Sequence, residues 1–576
     1  MGFFFDPAIQ SHARAWLMET LVSIKRGLEQ RLPFAMDPVV YDFRINDRGS
    51  WCELLQGSRA AMPDGYYSIL APKLIRKEAK ELSSQSKRDL MRLNEACSQD
   101  GDRARRLLDR ILPQATANSD HQRSLREVLD EHGFDREQHE QIRAEILAGR
   151  IGLAENRLPI QTDIRDVDGS DYCDLRSGVS RETGNTNSGE KALRDGSVGV
   201  VTLSAGVGSR WTDGAGVVKG LHPFTRFPPN TKGRHRSFVE VHLAKSRKTS
   251  RQFDSPVPHV FTTGYLTHAP IASFLRDHDD FASPGPVILS PSMSVGLRMI
   301  PTVRDLIYYW EEMPHQILDE QQQKVQESAH AAIAAWARGA GEASDYIDNV
   351  PEQCMHPVGH WFEIPNMLRN GTLHRLLAAQ PQMRYLMLHN IDTLGASLDP
   401  SPLSAHIDSG ACLSFEVIGR RIEDRGGGLA RVDGKLRLLE GMAMPSDRDE
   451  FKLTYYSSMT TWISIDPLLE VFGLTRDQLS DRDAVDRAVR RLASRLPTYV
   501  TIKDVKKRWG LGQEDVFPVT QFEKLWGDMS SLSDVRCGYL VVDTCRGQQL
   551  KDPAQLDPWV RDGSAAYVDS LCDWGI

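Results

Sequence analysis

Long apolar runs are missing from this 576-residue chain. No stretch of about 18 consecutive apolar residues occurs, so no membrane-spanning helix is expected. Cysteines at metal or redox spacing are missing too. The eight cysteines are Cys52, Cys97, Cys173, Cys354, Cys412, Cys537, Cys545 and Cys572, and none forms a CxxC pair. A zinc ribbon and a thioredoxin motif are therefore unsupported. Scattered thiols in so long a chain fit a reducing compartment, and a cytoplasmic location is the expectation. The N-terminus, MGFFFDPAIQSH, has neither a basic flank nor a long apolar region, so it does not read as a secretory signal. Dense basic blocks are absent and the net charge is -8. That balance argues against phosphate-backbone binding, so neither nucleic acid nor a membrane is an expected partner. Internal repeats are not visible.

What is present is ordinary globular material, 40% apolar and 26% charged, in a length that suggests two or three domains. Residues 8–150 read as mostly helical. The run from Ala8 spaces Ile9, Ala13, Trp16, Leu17 and Leu21 for one helical face. The runs at 86–112 and 124–149 are charge-rich with an apolar stripe, and the charges read as a solvated face. The stretch at 39–55 reads as a hairpin or loop. Residues 176–197, poor in apolar side chains and rich in Gly, Ser, Thr and Asn, read as a loop or linker. From Val198 short β-rich runs alternate with helical ones: VGVVTLS, HVFTTGY, PVILSP, YLMLHNI and CLSFEVI, with TVRDLIYYWEEM and GTLHRLLAAQP between them. This alternation predicts an α/β domain with a largely parallel sheet.

The stretch VVTLSAGVGSR, Val200–Arg210, is a buried strand running into a glycine turn. Gly206 and Gly208 let backbone N–H groups wrap phosphate oxygens. Arg210 can neutralise distal phosphates through a bidentate fork, and Lys219 adds a mobile point charge. The dinucleotide fingerprint does not fit, because Trp211 stands where a third glycine is needed. The Walker pattern does not fit either, because Gly220 follows Lys219.

The pattern G-x-G-S-R…K-G resembles the signature loop of the UDP-sugar pyrophosphorylases, the UTP–glucose-1-phosphate uridylyltransferase family. Two further blocks, in order, carry the same resemblance. YLMLHNIDTLGA, from Tyr385, is similar to the family's strand ending N-I-D-N-L-G-A. GGGLARVDGKLRLLEGMAMP, Gly426–Pro445, resembles its G-K-L-R-L-V-E segment. FTTGYLTHAP, PVGHW and GRIGLAENRLP are softer matches, and the resemblance covers roughly residues 149–545. It implies a Rossmann-like (GT-A-type) nucleotidyltransferase domain with a mixed, mostly parallel sheet, preceded by a helical N-terminal region. The expected organisation is a helical region over 1–165, a linker over 166–197, the catalytic domain over 198–475 and a C-terminal part over 476–576. That last part would complete the sugar-phosphate side, with no long β-helix.

The reaction implied is formation of a UDP-sugar and pyrophosphate from UTP and a sugar 1-phosphate, glucose 1-phosphate by default. Ser204, Ala205, Gly206, Gly208 and Ser209 would hold the nucleotide phosphates, with Thr262, Thr263, Gly359 and His360 nearer the base. Arg210 would hold the departing pyrophosphate, and Lys219 would stabilise charge at the α-phosphate. Asp392, a carboxylate at the end of an apolar strand, would carry Mg²⁺. A zinc pair of His356 and His360 is not expected, since Pro357 and Gly359 interrupt the helix it would need.

At the sugar end Asn390, Glu440 and Thr460 are the candidates. Ser457, Ser458 and Thr460 stand where the family has asparagines, with two extra residues nearby. Asp543 falls where a phosphate-binding lysine is expected, leaving Lys503 and Lys524 as candidate replacements. Three readings follow: the uridylyltransferase, the same chemistry on another sugar-like phosphate or nucleotide, and a binding protein without turnover.

Overall fold

The computed structural model describes residues 6–28, 40, 124–176, 186–212, 218–227, 235–312, 320–510 and 513–575. The chain divides into two units, Met1–Leu55 and Gln56–Ile576. In the first, helix α1 (Gln10–Leu28) follows the spacing read from its apolar residues. Ala13 is buried, while Trp16, Leu21 and Ile24 are exposed. The runs at 39–55, apart from Val40, and at 86–112 lie outside the described residues.

The second unit opens with two short helices from the run at 124–149. Helix α2 (Leu125–Glu131) starts with a capping box between Ser124 and Glu127. Helix α3 (Arg136–Leu147) starts at Asp135, which accepts from the Gln138 N–H. Gly133, at φ 72°, makes the break between them. Asn187–Arg194, inside the stretch read as a linker, forms helix α4. Its apolar face is only Ala192 and Leu193, packed with Val198, Phe253 and Leu403. Gly189 lets it lie against the helix Pro400–Ser409: a Cβ there would come within 2.3 Å of the Pro400 carbonyl. Close backbone packing, rather than an apolar stripe, makes this segment helical, which is why its composition reads as loop.

The main sheet has eleven strands. Eight lie along one path: β1 (Cys173–Asp174), β2 (Val198–Leu203), β3 (His259–Thr263), β4 (Val287–Pro291), β5 (Tyr385–Asn390), β6 (Leu413–Gly419), β7 (Tyr455–Ser464) and β8 (Cys537–Val541). Their order is β1-β8-β6-β7-β5-β2-β3-β4. Only the β6–β7 and β7–β5 pairs are antiparallel. A hairpin, Gly428–Val432 and Lys435–Leu439, extends the sheet from β7. The five β-rich runs read from the sequence all become strands of this path. Every residue of β2 is buried, as a parallel strand covered on both faces requires.

Register decides where chemistry can sit. Leu203 pairs with Asn390 on one side and with Thr262 on the other, so β2, β3 and β5 end at one edge. The glycine loop leaves that edge after Leu203, and Asp392 leaves it after Asn390. Open α/β sheets bind ligands in such a crevice. Helix α5 (Phe238–Phe253), capped by Ser237 and Glu240, fixes the segment after β5. His242 Nε2 meets the Ile391 carbonyl at 2.8 Å, and Lys245 Nζ donates to the carbonyls of Leu394, at 2.7 Å, and of Ala396.

The far end of the chain joins the same sheet through β8. Beyond it Arg546 forms a fork on Glu416 of β6, Nε to Oε2 at 2.9 Å and Nη2 to Oε1 at 2.7 Å. Trp462 Nε1 donates to the same carboxylate at 2.8 Å, and Arg546 Nη2 also donates to the Ser397 carbonyl at 3.0 Å. One buried pair thus fastens β6, β7, the segment after β5 and the C-terminal region together. Arg546→Ala leaves a buried carboxylate uncompensated and is expected to cost about 3–5 kcal/mol in urea unfolding. A loss below about 1 kcal/mol would show that the fork does not hold these parts together.

Candidate active site

Beyond β2 the loop is pinned from below. Ser204 Oγ donates to the Thr262 carbonyl at 2.5 Å, and Lys219 N donates to the Val207 carbonyl at 2.9 Å. Gly206 faces open space where a side chain would stand. Gly208 has φ +75°, and a Cβ on it would lie 2.4 Å from Lys219 Cβ. Glycine is required here because the lysine side chain passes directly under the loop. Ser209 and Arg210 begin the turn of helix Ser209–Thr212.

Lys219 is buried, and its Nζ donates to Asp392 Oδ2 at 2.8 Å and to the Leu550 carbonyl at 2.8 Å. Trp211 Nε1 donates to the same carbonyl at 3.1 Å, while the Leu550 N–H donates to the Asp392 carbonyl at 2.9 Å. The ammonium also lies 5.6 Å from the Trp211 ring centroid and 5.3 Å from that of Phe238. Trp211, which spoils the dinucleotide fingerprint, is thus a wall of the lysine's channel. Burial lowers the Lys219 pKa, and Asp392 partly offsets this. For Asp392 burial pulls upward, but Lys219, Lys551 and Arg210 outweigh it and hold the carboxyl below the usual carboxylate range. Exposed Arg210 acts electrostatically on both partners, so the three charges lie near one another at this edge of the sheet. The buried Oδ1 of Asp392 has no hydrogen-bond partner among the described residues.

A further cation in this pocket is Lys551. Its charge acts on Lys219, Asp392, His360 and Glu440, and its Nζ donates to the Tyr456 hydroxyl at 2.5 Å. The Leu550 contacts deliver it there. Of the two candidates read from the sequence, the structure argues against Lys524. Lys524 is consumed by the carbonyls of Leu496, at 2.9 Å, and Pro497, at 3.3 Å, and by the Thr498 hydroxyl at 2.8 Å. Lys503 lines the cavity on the other side of the glycine loop. Asp543, aligned with the expected lysine, caps the turn Thr544–Gly547, its carbonyl accepting from the N–H groups of Arg546 and Gly547.

That cavity measures about 410 Å³. Ala205 to Gly208 form one wall, with Gly264 to Leu266, Gly359 and Glu363 around it. Thr262 and Thr263 do not reach it. Both are buried in β3, and the Thr263 hydroxyl lies 2.8 Å from His268 Nδ1. Gly359, at φ +96°, serves first the protein's own backbone, since a Cβ there would sit 2.3 Å from the Lys524 carbonyl. His360 is not among the lining residues. Its Nδ1 accepts from the Trp526 N–H at 3.0 Å, which leaves the ring proton on Nε2. Burial and then Lys551 push its pKa down to about 4, so the ring is neutral. His356 instead contacts the Pro357 carbonyl at 3.0 Å.

At the sugar end the two extra residues form a bulge. Glu416 pairs with Thr460 and Val417 with Ser457, so Ser458 and Met459 are inserted, with Met459 at φ 59°. Ser458 Oγ donates to the Glu416 carbonyl at 2.8 Å, and Thr393 Oγ1 donates to the Ser458 carbonyl at 3.2 Å. The bulge is therefore tied to the segment that carries Asp392. Thr460 is buried with its hydroxyl unpartnered among the described residues, and Asn390 is half-buried at the end of β5. Burial, with help from Asp528 and Glu523, pushes the Glu440 carboxyl up to about 8, so it is protonated at neutral pH. A neutral carboxyl can both donate to and accept from a hydroxyl group.

Sequence reasoning missed Lys551 and Glu363. The first carries no spacing signal. The second is a lone carboxylate in the apolar stretch WFEIP, a pattern that marks burial of charge.

Fold and site together define an α/β protein with a glycine loop and a strand-end carboxylate on one sheet edge. Residues 343–541 match the family described as UTP--glucose-1-phosphate uridylyltransferase. A probable UTP--glucose-1-phosphate uridylyltransferase of Schizosaccharomyces pombe is 25% identical over 235 residues, 40% of this chain and 39% of that protein. The UTP--glucose-1-phosphate uridylyltransferase of Saccharomyces cerevisiae is 29% identical over 146 residues, 24% of this chain and 29% of that one. The chain thus spans well under half the length of these curated relatives. Over these segments the chain is similar to UTP--glucose-1-phosphate uridylyltransferases. Among solved structures, a UDP-glucose phosphorylase from Trypanosoma brucei aligns at 17% identity and TM-score 0.48, over 74% of this chain and 75% of the other. A mutant UDP-glucose pyrophosphorylase from Leishmania major, in complex with udp-glc, aligns at 16% identity and TM-score 0.49, over 72% and 73%.

Gly208→Ala tests the loop geometry. The substitution puts a Cβ against Lys219 at a strained φ, costing about 1–2 kcal/mol of stability. Displacement of the ammonium is expected to lower kcat/KM in a pyrophosphate-release assay by at least about tenfold. Unchanged turnover would mean the lysine does not work from this position.

Proposed function

We propose that the chain is a Mg²⁺-dependent nucleotidyltransferase that forms a UDP-sugar and pyrophosphate from UTP and a sugar 1-phosphate. The observation that supports this reading is the Lys219–Asp392 ion pair on the edge where β2 and β5 end, with Arg210 near enough to act on both partners. The loop backbone at Gly206, Gly208 and Ser209 would cradle the phosphates, the base extending into the cavity behind the loop.

A sugar 1-phosphate oxygen would attack the α-phosphorus of UTP, forming a new P–O bond. The bond from that phosphorus to the oxygen bridging the β-phosphate would break, and its electrons would leave with pyrophosphate. Such a displacement needs alignment and charge stabilisation rather than a protein nucleophile. Lys219, held on Asp392 and Leu550, would meet the charge developing at the α-phosphate. Arg210, exposed beside the glycine loop, would hold the departing pyrophosphate. Lys551, between the Asp392 region and Glu440, would hold the incoming sugar phosphate. It thereby supplies the cation that Asp543 cannot, which favours turnover over a binding-only role. Asp392 Oδ1 fits a hard cation, which takes one carboxylate oxygen together with phosphate oxygens. A Mg²⁺ held there would neutralise phosphate charge.

The sugar side favours a second reading of the acceptor. Ser457, Ser458 and Thr460 put hydroxyl groups where the family has amides, beside the carboxyl of Glu440. That altered set suits another sugar-like phosphate as well as glucose 1-phosphate.

Pyrophosphate release from UTP should be measured across a panel of sugar 1-phosphates. Lys219→Ala is expected to reduce kcat by about 10²–10³, or roughly 2.7–4 kcal/mol, with circular dichroism unchanged. Asp392→Ala should abolish stimulation by added Mg²⁺. Binding of UTP without turnover on any sugar phosphate would replace the transferase by the binding protein. Normal activation by Mg²⁺ in Asp392→Ala would move the metal elsewhere.

A further inference from the structure

The cavity behind the glycine loop has polar side chains that mostly satisfy one another. Asn366 Oδ1 accepts from the Met293 N–H at 3.1 Å and from Ser294 Oγ at 2.8 Å, and its Nδ2 donates to Ser292 Oγ at 3.2 Å. Ser292 Oγ donates to the Ser294 carbonyl at 2.9 Å, and Tyr265 Oη donates to the Met355 carbonyl at 3.2 Å. Glu363 differs. It lines the cavity, is only 8% exposed, and its Oε2 has no hydrogen-bond partner among the described residues. The Thr262 hydroxyl acts on this carboxyl by hydrogen bonding, and a buried oxygen left without a partner is costly unless a ligand completes it.

The position of this carboxyl indicates what would complete it. The same cavity is lined by Ala205–Gly208, the segment that would hold phosphates. A nucleotide with its phosphates on that wall extends its base, the flat end carrying N–H and C=O groups, into the remaining space. Resting on the nucleotide reading above, we propose that Glu363 is the specificity-determining residue for the base: its carboxyl pairs with the imide edge of uracil, one oxygen accepting from N3–H and the other, carrying the proton, donating to a ring carbonyl. An ionised carboxylate can only accept. It would lose the second bond and face the uracil carbonyls with like partial charge, and its best partner would be the paired N–H groups of guanine.

The environment supports the protonated form. Burial pushes the Glu363 carboxyl up to about 7, with the facing Thr262 hydroxyl acting in the opposite direction. The other titratable or charged groups on the cavity are Tyr265, Arg298, Lys503 and Asp504, and Arg369 on the same helix is engaged by Asp486 at 2.9 Å. Because the folded-state pKa is raised above the ordinary glutamate value, the proton is held below about pH 7 and lost above it.

The test is calorimetric binding of UTP and of GTP to the full chain, for wild type, Glu363→Gln and Glu363→Leu, at roughly pH 6 and roughly pH 8.5. Wild-type affinity for UTP should fall by roughly tenfold or more between the two, with the UTP:GTP ratio falling alongside. Glu363→Gln, which keeps a donor and an acceptor without titrating, should bind UTP within a few-fold of wild type at low pH and show no comparable fall. Glu363→Leu should lose roughly tenfold to hundredfold at low pH. The same steep pH dependence in Glu363→Gln, or wild-type UTP affinity in Glu363→Leu, would overturn the assignment of Glu363 while leaving the nucleotide site standing. Failure of the wild-type chain to bind UTP at either pH would remove both.

Discussion

The contact on which the pocket depends is the buried ion pair of Lys219 and Asp392, closed by the backbone of Leu550. Asp392 and Lys219 belong to segments 173 positions apart, and Leu550 comes from near the C-terminus. Each element constrains the others. The lysine can be buried as a cation only because a carboxylate and a carbonyl receive it. The carboxylate stays ionised in a buried place only because the lysine and two further cations surround it. The Leu550 N–H, bonded to the Asp392 carbonyl, then fixes where Lys551 emerges. Gly208 and Trp211 follow from the same demand: one removes the Cβ that would collide with the lysine stem, the other walls its channel.

Around that contact, supports of different kinds hold the segment after β5 in place. His242 and Lys245 grip its carbonyls from helix α5, the Arg546–Glu416 fork fastens it to β6, and Thr393 ties it to the bulge in β7. A segment held this way loses little further freedom when a ligand arrives, which is what alignment-driven chemistry needs. Protonation also divides the pocket. The centre carries Asp392 as an anion among cations, while Glu363 on the base side and Glu440 on the sugar side are buried carboxyls that keep a proton near neutral pH. Charge is concentrated where phosphates would react, and neutral hydrogen-bonding groups stand where base and sugar would be read.

Much of this was legible in the chain. The strands were visible as apolar runs because a sheet buried on both faces needs them. The glycine loop and Asp392 were visible because close backbone approach and strand-end carboxylates leave local marks. Helix α4 was not, since its stability comes from Gly189 lying against Pro400 rather than from a stripe of its own. Thr262 and Thr263 were placed one step too near the base, because sequence position along β3 does not say which side chains the sheet covers. Lys524 was a poor candidate for a phosphate-binding cation. A cation's task depends on what surrounds its Nζ, and Lys524 turned out to be a tie between carbonyls.

The sequence by itself determined the class of the fold, the glycine loop after β2 and the carboxylate after β5, because each is encoded in patterns a few residues long. The tertiary structure alone decided which charges lie near one another, that Lys551 joins them, that Ser458 and Met459 form a bulge, and that burial raises the Glu363 and Glu440 carboxyls. These depend on electrostatic fields and desolvation set by segments far apart along the chain, and no local pattern records such distances.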